Sequence, residues 1–138
     1  MDAYEQAIEK IKRSMGNPKT ILLADDDHIL RSVLRMYFES NGCNVIEARD
    51  GDEALTLYNA NVQKIDILIL DVRMPKLSGT EVLKEIRSTN KKIPIIILTG
   101  YPDATELSGI ISNGWAVIIS KPFELDHITN IFHSFFEG

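Results

Sequence analysis

Acidic side chains fall at two places where they could do chemistry together. Asp25, Asp26 and Asp27 follow directly on the apolar run Ile21-Leu22-Leu23-Ala24, and Asp71 ends the run Ile65-Asp66-Ile67-Leu68-Ile69-Leu70. Short segments rich in branched apolar residues read as strands buried on both faces. Acids placed just past their ends would gather at one edge of a parallel sheet, where like charges repel unless a cation or a shared proton compensates them. Two more groups fall at equivalent places: Thr99 follows Pro94-Ile95-Ile96-Ile97-Leu98, and Lys121 follows the strand that begins Ala116-Val117-Ile118-Ile119. The carboxylates of Asp25, Asp26 and Asp71 form a hard oxygen set suited to Mg²⁺, which prefers an octahedral shell and keeps several waters. With negative charge masked in this way, a carboxylate can attack phosphorus and form an acyl phosphate. An ammonium and a hydroxyl can then hold the phosphoryl oxygens.

The elements that must position these groups alternate along the chain. Strands are expected over 20–24, 44–47, 65–70, 94–98 and 116–119, and helices over 28–40, 51–61, 79–88, 103–112 and 123–136. The first of these helices turns Leu30, Val33, Leu34, Tyr37 and Phe38 inward, and the last turns Leu125, Ile128, Ile131, Phe132 and Phe135 inward. Five strands alternating with five helices imply an α/β fold: a doubly wound parallel sheet covered on both faces and built by right-handed crossovers. Such sheets bind ligands beyond the carboxyl ends of their strands. The second strand brings no obvious polar group to that edge. Ahead of this unit, residues 2–15 read as an amphipathic helix with Tyr4, Ile8, Ile11 and Met15 as its stripe, stopped by Gly16-Asn17-Pro18. The expected division is therefore an N-terminal extension over 1–18 and one domain over 19–138.

At 138 residues the chain is long enough for one domain with a substantial core. A formal net charge of −5 argues against nonspecific binding to nucleic acid or anionic lipid. No apolar run approaches membrane-span length, and the charged N-terminus is unlike a signal peptide. The single cysteine, Cys43, reads as a small core residue in a reducing compartment, so a cytoplasmic location is expected.

Four motifs stand in order at the strand ends: Ile21-Leu22-Leu23-Ala24-Asp25-Asp26-Asp27, Asp71-Val72-Arg73-Met74-Pro75 with Gly79, Ile96-Ile97-Leu98-Thr99-Gly100, and Lys121-Pro122-Phe123. Together they resemble the response-regulator receiver domain of two-component signalling, similar to the chemotaxis regulator, over about residues 20–136. The resemblance implies a flavodoxin-like sheet in the order 2-1-3-4-5. It also implies that Asp71 accepts a phosphoryl group from a histidine kinase or phosphotransfer protein. Asp25 and Asp26 would hold Mg²⁺ with Asp71 and the backbone carbonyl of Arg73. Thr99 would bond a phosphoryl oxygen, Gly100 would leave room for the group, and Lys121 would pair with it across a cis Lys121-Pro122 bond. Such a domain is a switch rather than an enzyme. Its output would pass to another domain or protein, and a homodimer is one arrangement it could adopt.

Blander readings stand beside these. One acid, Asp27, can be explained as a helix cap. His28 reads as a solvated helix-start residue, since a carboxylate site for Mg²⁺ has little use for imidazole, and His127 and His133 share no ligand face. Trp115 fits either a core position or an interface anchor. The N-terminal stripe must be buried against its own domain, against a second copy, or as the end of a longer helix. The chain also departs from the family. Ile118 stands where many receivers carry the Tyr or Phe whose rotamer tracks phosphorylation, with Ser120 beside the lysine. Arg73 and Tyr101 form a bulky pair expected to shield an acyl phosphate from water and slow its decay. A haloacid-dehalogenase-type phosphatase would need a second aspartate where Arg73 stands. A phosphorylation-independent binding module is the other alternative, kept open by Ile118. No helix-turn-helix or catalytic module follows the last helix, so direct DNA binding is not expected; the sequence fits a free-standing receiver or one excised from a larger regulator.

Overall fold

The computed structural model describes residues 2–5, 18–100, 103–112 and 116–137. Five strands, β1 (Thr20–Ala24), β2 (Asn44–Ala48), β3 (Ile67–Asp71), β4 (Ile95–Thr99) and β5 (Val117–Ser120), alternate with five helices. These are α1 (His28–Ser40), α2 (Gly51–Ala60), α3 (Gly79–Thr89), α4 (Ala104–Ser112) and α5 (Leu125–Glu137). All strand pairs are parallel and the sheet order is β2-β1-β3-β4-β5, the flavodoxin-like arrangement. The order reverses direction between β1 and β3, which opens a crevice beyond their carboxyl ends.

The central strands are apolar on both faces because both faces are covered. Leu22, Ala24, Leu68, Leu70, Ile95 and Ile97 pack with Ala54, Tyr58, Val82, Leu83, Ile86 and Ile110 of α2, α3 and α4. The alternate residues, among them Ile21, Leu23, Ile67, Ile69, Ile96 and Leu98, meet Leu34 and Phe38 of α1 and Ile128 and Phe132 of α5. One strand thus feeds two cores through its period of two. Cys43 lies in the second core at 5% exposure, and burial pushes its thiol up to about 11.

Helix starts are set by side-chain caps. Asp27 accepts the Ile29 and Leu30 N–H groups at the head of α1, Asp50 accepts Glu53 N–H at α2, and Ser78 accepts Glu81 N–H at α3. The cap reading of Asp27 therefore holds, which leaves Asp25 and Asp26 for other work.

Some expectations change: β2 runs one residue further, to Ala48, and β5 is Val117–Ser120 rather than 116–119. β3 begins at Ile67 and runs through Asp71, and β4 runs through Thr99, so both functional candidates end their strands rather than follow them. Just ahead of β3, Asp66 is bonded to the start of β1 twice: its N–H donates to Thr20 O at 2.9 Å and its carboxylate accepts Thr20 N–H at 2.8 Å. On α1, Val33 faces outward at 44% exposure, whereas Arg31 faces inward at 7%. The inward stripe is Arg31, Leu34 and Phe38, spaced three and four residues apart. Of the expected N-terminal helix, Ala3, Tyr4 and Glu5 are helical and Tyr4 is exposed; the rest of that stripe, like Trp115 and Tyr101, lies outside the described residues.

Candidate functional site

Asp71 ends β3 at the middle of the sheet, where pairing with Leu98 and the Val72 N–H bond to Leu98 O hold its backbone. The chain then turns back so tightly that Gly79 N–H reaches Val72 O at 2.8 Å. A Cβ on Gly79 would meet Asp71 O at 2.3 Å, so only glycine allows this closure. Asp25 leaves β1 and is tied to β2 by its N–H bond to Ala48 O, while its Oδ1 accepts Asp27 N–H at 2.9 Å. Asp26 projects from the same turn and is exposed. Lys121 follows β5, its own N–H bonded to Thr99 O at 2.7 Å. The Lys121-Pro122 bond is cis.

The side chains converge. Lys121 Nζ lies 3.0 Å from Asp71 Oδ1 and 3.6 Å from Asp25 Oδ2. Asp25 is fully buried, Asp71 is 6% exposed and Thr99 1%. Among the described residues, Thr99 Oγ1 is buried without a hydrogen-bond partner. A buried hydroxyl left unbonded costs free energy unless a ligand takes its bond. Among the described residues, a Cβ on Gly100 would meet nothing within 4 Å. Arg73 lies in the exposed loop after β3. An open cleft of about 660 Å³, lined by Asp26, Val72, Arg73, Met74, Pro75 and Thr80 among others, borders the cluster.

The electrostatics leave this cluster short of positive charge. Burial, and then the neighbouring Asp25 charge, push the Asp71 carboxyl up to about 6, even though the Lys121 bond pulls it down. Burial likewise raises Asp25. Burial works against the Lys121 ammonium, but its bond to Asp71 and the charge of Asp25 outweigh it and raise its pKa. The ionised carboxylates of Asp25, Asp26 and Asp71 against one ammonium leave a formal charge of −2. Their ligand oxygens lie within 4.8 Å of one another, two buried and one at the surface. Hard oxygens, a deficit of two charges and one solvent-facing side fit a divalent cation of the Mg²⁺ kind, which keeps part of its water shell.

The sequence profile of the response regulator receiver domain matches residues 21–133. The chain belongs to that family. The receiver is 33% identical over 120 residues to the "Probable transcriptional regulatory protein TcrX" of Mycobacterium tuberculosis, covering 86% of this chain and 50% of that protein. It is 39% identical over 111 residues to the "Response regulator MprA" of Mycobacterium sp. (strain KMS), covering 80% and 47%. It thus spans about half the length of the curated relatives it matches. Among solved structures, it superimposes with a TM-score of 0.81 on a chain from the "CheX-CheY-BeF3-Mg+2 complex" of Borrelia burgdorferi, at 29% identity, covering 94% of this chain and 97% of that one. No described helix is long and apolar enough to cross a membrane.

The structure brings Asp25, Asp26, Asp71, Thr99 and Lys121 to one sheet edge and puts Arg73 beside them. His28 is exposed, with Nδ1 3.2 Å from Arg31 Nη2 and no place in the acidic cluster. His127 is exposed, and Ile118 is half-buried against the core of α2, α3 and α4. Sequence reasoning gives no role to Arg31 or to Glu47, which bonds it from β2. The available signal was the position of Arg31 on the same helical stripe as Leu34 and Phe38.

Proposed function

We propose that this receiver is a phosphorylation-dependent signalling switch in which Asp71 accepts a phosphoryl group from the phosphohistidine of a histidine kinase or phosphotransfer protein. The observation that carries this reading is the Lys121 ammonium held against both Asp71 and Asp25, beside the unbonded hydroxyl of Thr99. An Asp71 oxygen attacks phosphorus, the acyl O–P bond forms as the P–N bond breaks, and the imidazole leaves with that electron pair. Lys121 and Thr99 then hold phosphoryl oxygens that gain charge in the transition state. Asp25, Asp26, Asp71 and the Arg73 carbonyl would hold Mg²⁺, which when bound offsets the charge of the carboxylates and the incoming group. Residues 19–138 act as the receiver and 1–18 as an extension. The result of the transfer is a change of state rather than turnover, and a cytoplasmic site follows from a donor phosphorylated by ATP.

The donor must dock over the open edge. Ile29, Val33 and Met36 are 75%, 44% and 59% exposed on one side of α1. Beside them runs a groove that Ile29, Val33, Lys121, Pro122 and Phe123 help to line. An apolar face leading to Lys121 suits a partner that buries apolar surface while presenting a phosphohistidine.

The test is intact mass after incubation with Mg²⁺ and acetyl phosphate. One added phosphoryl group, absent with a chelator, supports the reading; no addition from acetyl phosphate or from a phosphorylated phosphotransfer protein overturns it.

A further inference from the structure

Strand β2 lies at the edge of the sheet and sends no side chain into the acidic cluster, but it is connected to it. Glu47 of β2 accepts Arg31 Nε at 3.2 Å. Arg31 Nη1 in turn donates to the backbone carbonyl of Asp25 at 2.7 Å, the shortest of its bonds, and Nη2 lies 3.2 Å from His28 Nδ1. All three guanidinium nitrogens thus have partners, and the side chain is 9% exposed. Glu47 is held from a second side by Arg35 Nε at 3.3 Å, and Arg35 also meets Glu39 at 3.5 Å.

The bond to Asp25 O matters because of where that carbonyl sits. It belongs to the peptide joining Asp25 to Asp26, the two carboxylates that leave the same turn. The Asp25 N–H is fixed to Ala48 O on β2, and its Oδ1 is fixed to Asp27 N–H. The Asp25–Asp26 peptide therefore follows a residue fixed at its N–H and side chain, Arg31 holds the peptide's own carbonyl, and rotation of that peptide would swing the exposed Asp26 side chain relative to the buried Asp25. A plain helix-to-strand ion pair would need only Glu47. The guanidinium instead also donates directly to a neutral carbonyl between two ligands, its planar fork spanning that carbonyl and Glu47.

We infer that Arg31, anchored by Glu47, is a positioning residue that presets the spacing of the Asp25 and Asp26 carboxylates for a divalent cation. The inference rests on the acceptor-site reading above. Groups behind the ligands that fix their orientation commonly change metal affinity by about 10- to 100-fold when removed.

The experiment is calorimetric titration of the full chain with Mg²⁺, comparing wild type, Arg31→Met and Glu47→Gln, with thermal unfolding in chelator as the control. Methionine keeps the stem packed against the core, and Glu47 retains Arg35 as a partner, so no buried charge is stranded. Arg31→Met is expected to weaken Mg²⁺ binding about ten-fold with little change in the metal-free unfolding midpoint. Glu47→Gln, which keeps an acceptor but loses its charge, is expected to fall between the two, and it decides the matter alone if Arg31→Met does not fold. Unchanged affinity in the folded variants overturns the inference and leaves the acceptor-site reading standing. Failure of wild type itself to bind Mg²⁺ overturns both, and a loss of affinity that only tracks a lowered metal-free midpoint assigns Arg31 to stability alone.

Discussion

Lys121 Nζ and Asp71 Oδ1 lie 3.0 Å apart although β5 and β3 are not neighbours in the sheet. The bridge between them spans the end of β4, where Thr99 sits. One ammonium therefore serves a carboxylate two strands away and, at 3.6 Å, the buried Asp25 as well.

Removing that ammonium should raise Asp71 further. In Lys121→Met the carboxyl loses the hydrogen bond and the charge that hold it down, so its pKa is expected to climb above the value of about 6 it has in the intact cluster. Carbon-13 NMR of the Asp71 carboxyl in metal-free protein measures this directly. Phosphorylation by acetyl phosphate should slow by about a hundred-fold, the usual cost of losing one group that holds a developing oxyanion. An unchanged titration would show that Lys121 does not pair with Asp71.

The metal-free protein should lose stability as pH rises through the Asp71 transition. An aspartate titrates near 4 in an unfolded chain, and burial and Asp25 bring Asp71 to about 6 when folded. The folded state holds that proton more tightly, so its contribution is complete below about pH 4 and lost as pH passes about 6. Asp25 shifts in the same direction. Asp50 and Glu53 are shifted downward, Asp50 chiefly by its bond from Glu53 N–H and Glu53 chiefly by its bond from Arg49. They act oppositely, at the acid end, so the comparison must be with Asp71→Asn. The unfolding midpoint of Asp71→Asn should gain on wild type by a few degrees between pH 4 and 6.5. A difference that stays constant over that range contradicts the assignment.

Gly79→Ala should damage the site from behind. Its Cβ would lie 2.3 Å from Asp71 O, so the β3–α3 loop has to move. A loss of about 1–3 kcal/mol in denaturant unfolding is expected, with weaker Mg²⁺ binding because both Asp71 and Arg73 shift. Gly100→Ala, whose Cβ would meet nothing within 4 Å among the described residues, should leave stability unchanged.

Ile29→Lys should separate docking from chemistry. Ile29 is 75% exposed and its loss costs the fold little. Transfer from a phosphohistidine-bearing partner is expected to fall about ten-fold or more, while phosphorylation by acetyl phosphate is unchanged. Equal transfer to wild type and Ile29→Lys would move the docking face elsewhere.

Much of this architecture is legible in the residues themselves. β1 and α1 are found at the bounds expected, because a continuous branched run and a capped amphipathic stretch each admit one reading. The ends of β3 and β4 extend one residue further, since ladder bonds, not apolar character, decide where pairing stops. Arg31 is not singled out by the sequence for a related reason. Charge class assigns an arginine to solvent, yet its long stem can lie in a core while its head meets a carbonyl and a carboxylate from other elements. Val33 was assumed inward because it is apolar, although its angle on α1 turns it to the surface. The strand order came from the motif resemblance, since alternating strands and helices alone fit more than one doubly wound order. Nor does local pattern reveal that Gly79 must admit Asp71 O, a contact made only once the chain has turned back.

The central claim is that Asp71 receives the phosphoryl group, and site mapping tests it most directly. Protein treated with acetyl phosphate and Mg²⁺ is reduced with borohydride, which converts an aspartyl phosphate to homoserine, then digested and sequenced by mass spectrometry. Homoserine at position 71 is the predicted result. Homoserine at position 25 or 26 with Asp71 intact would contradict the account.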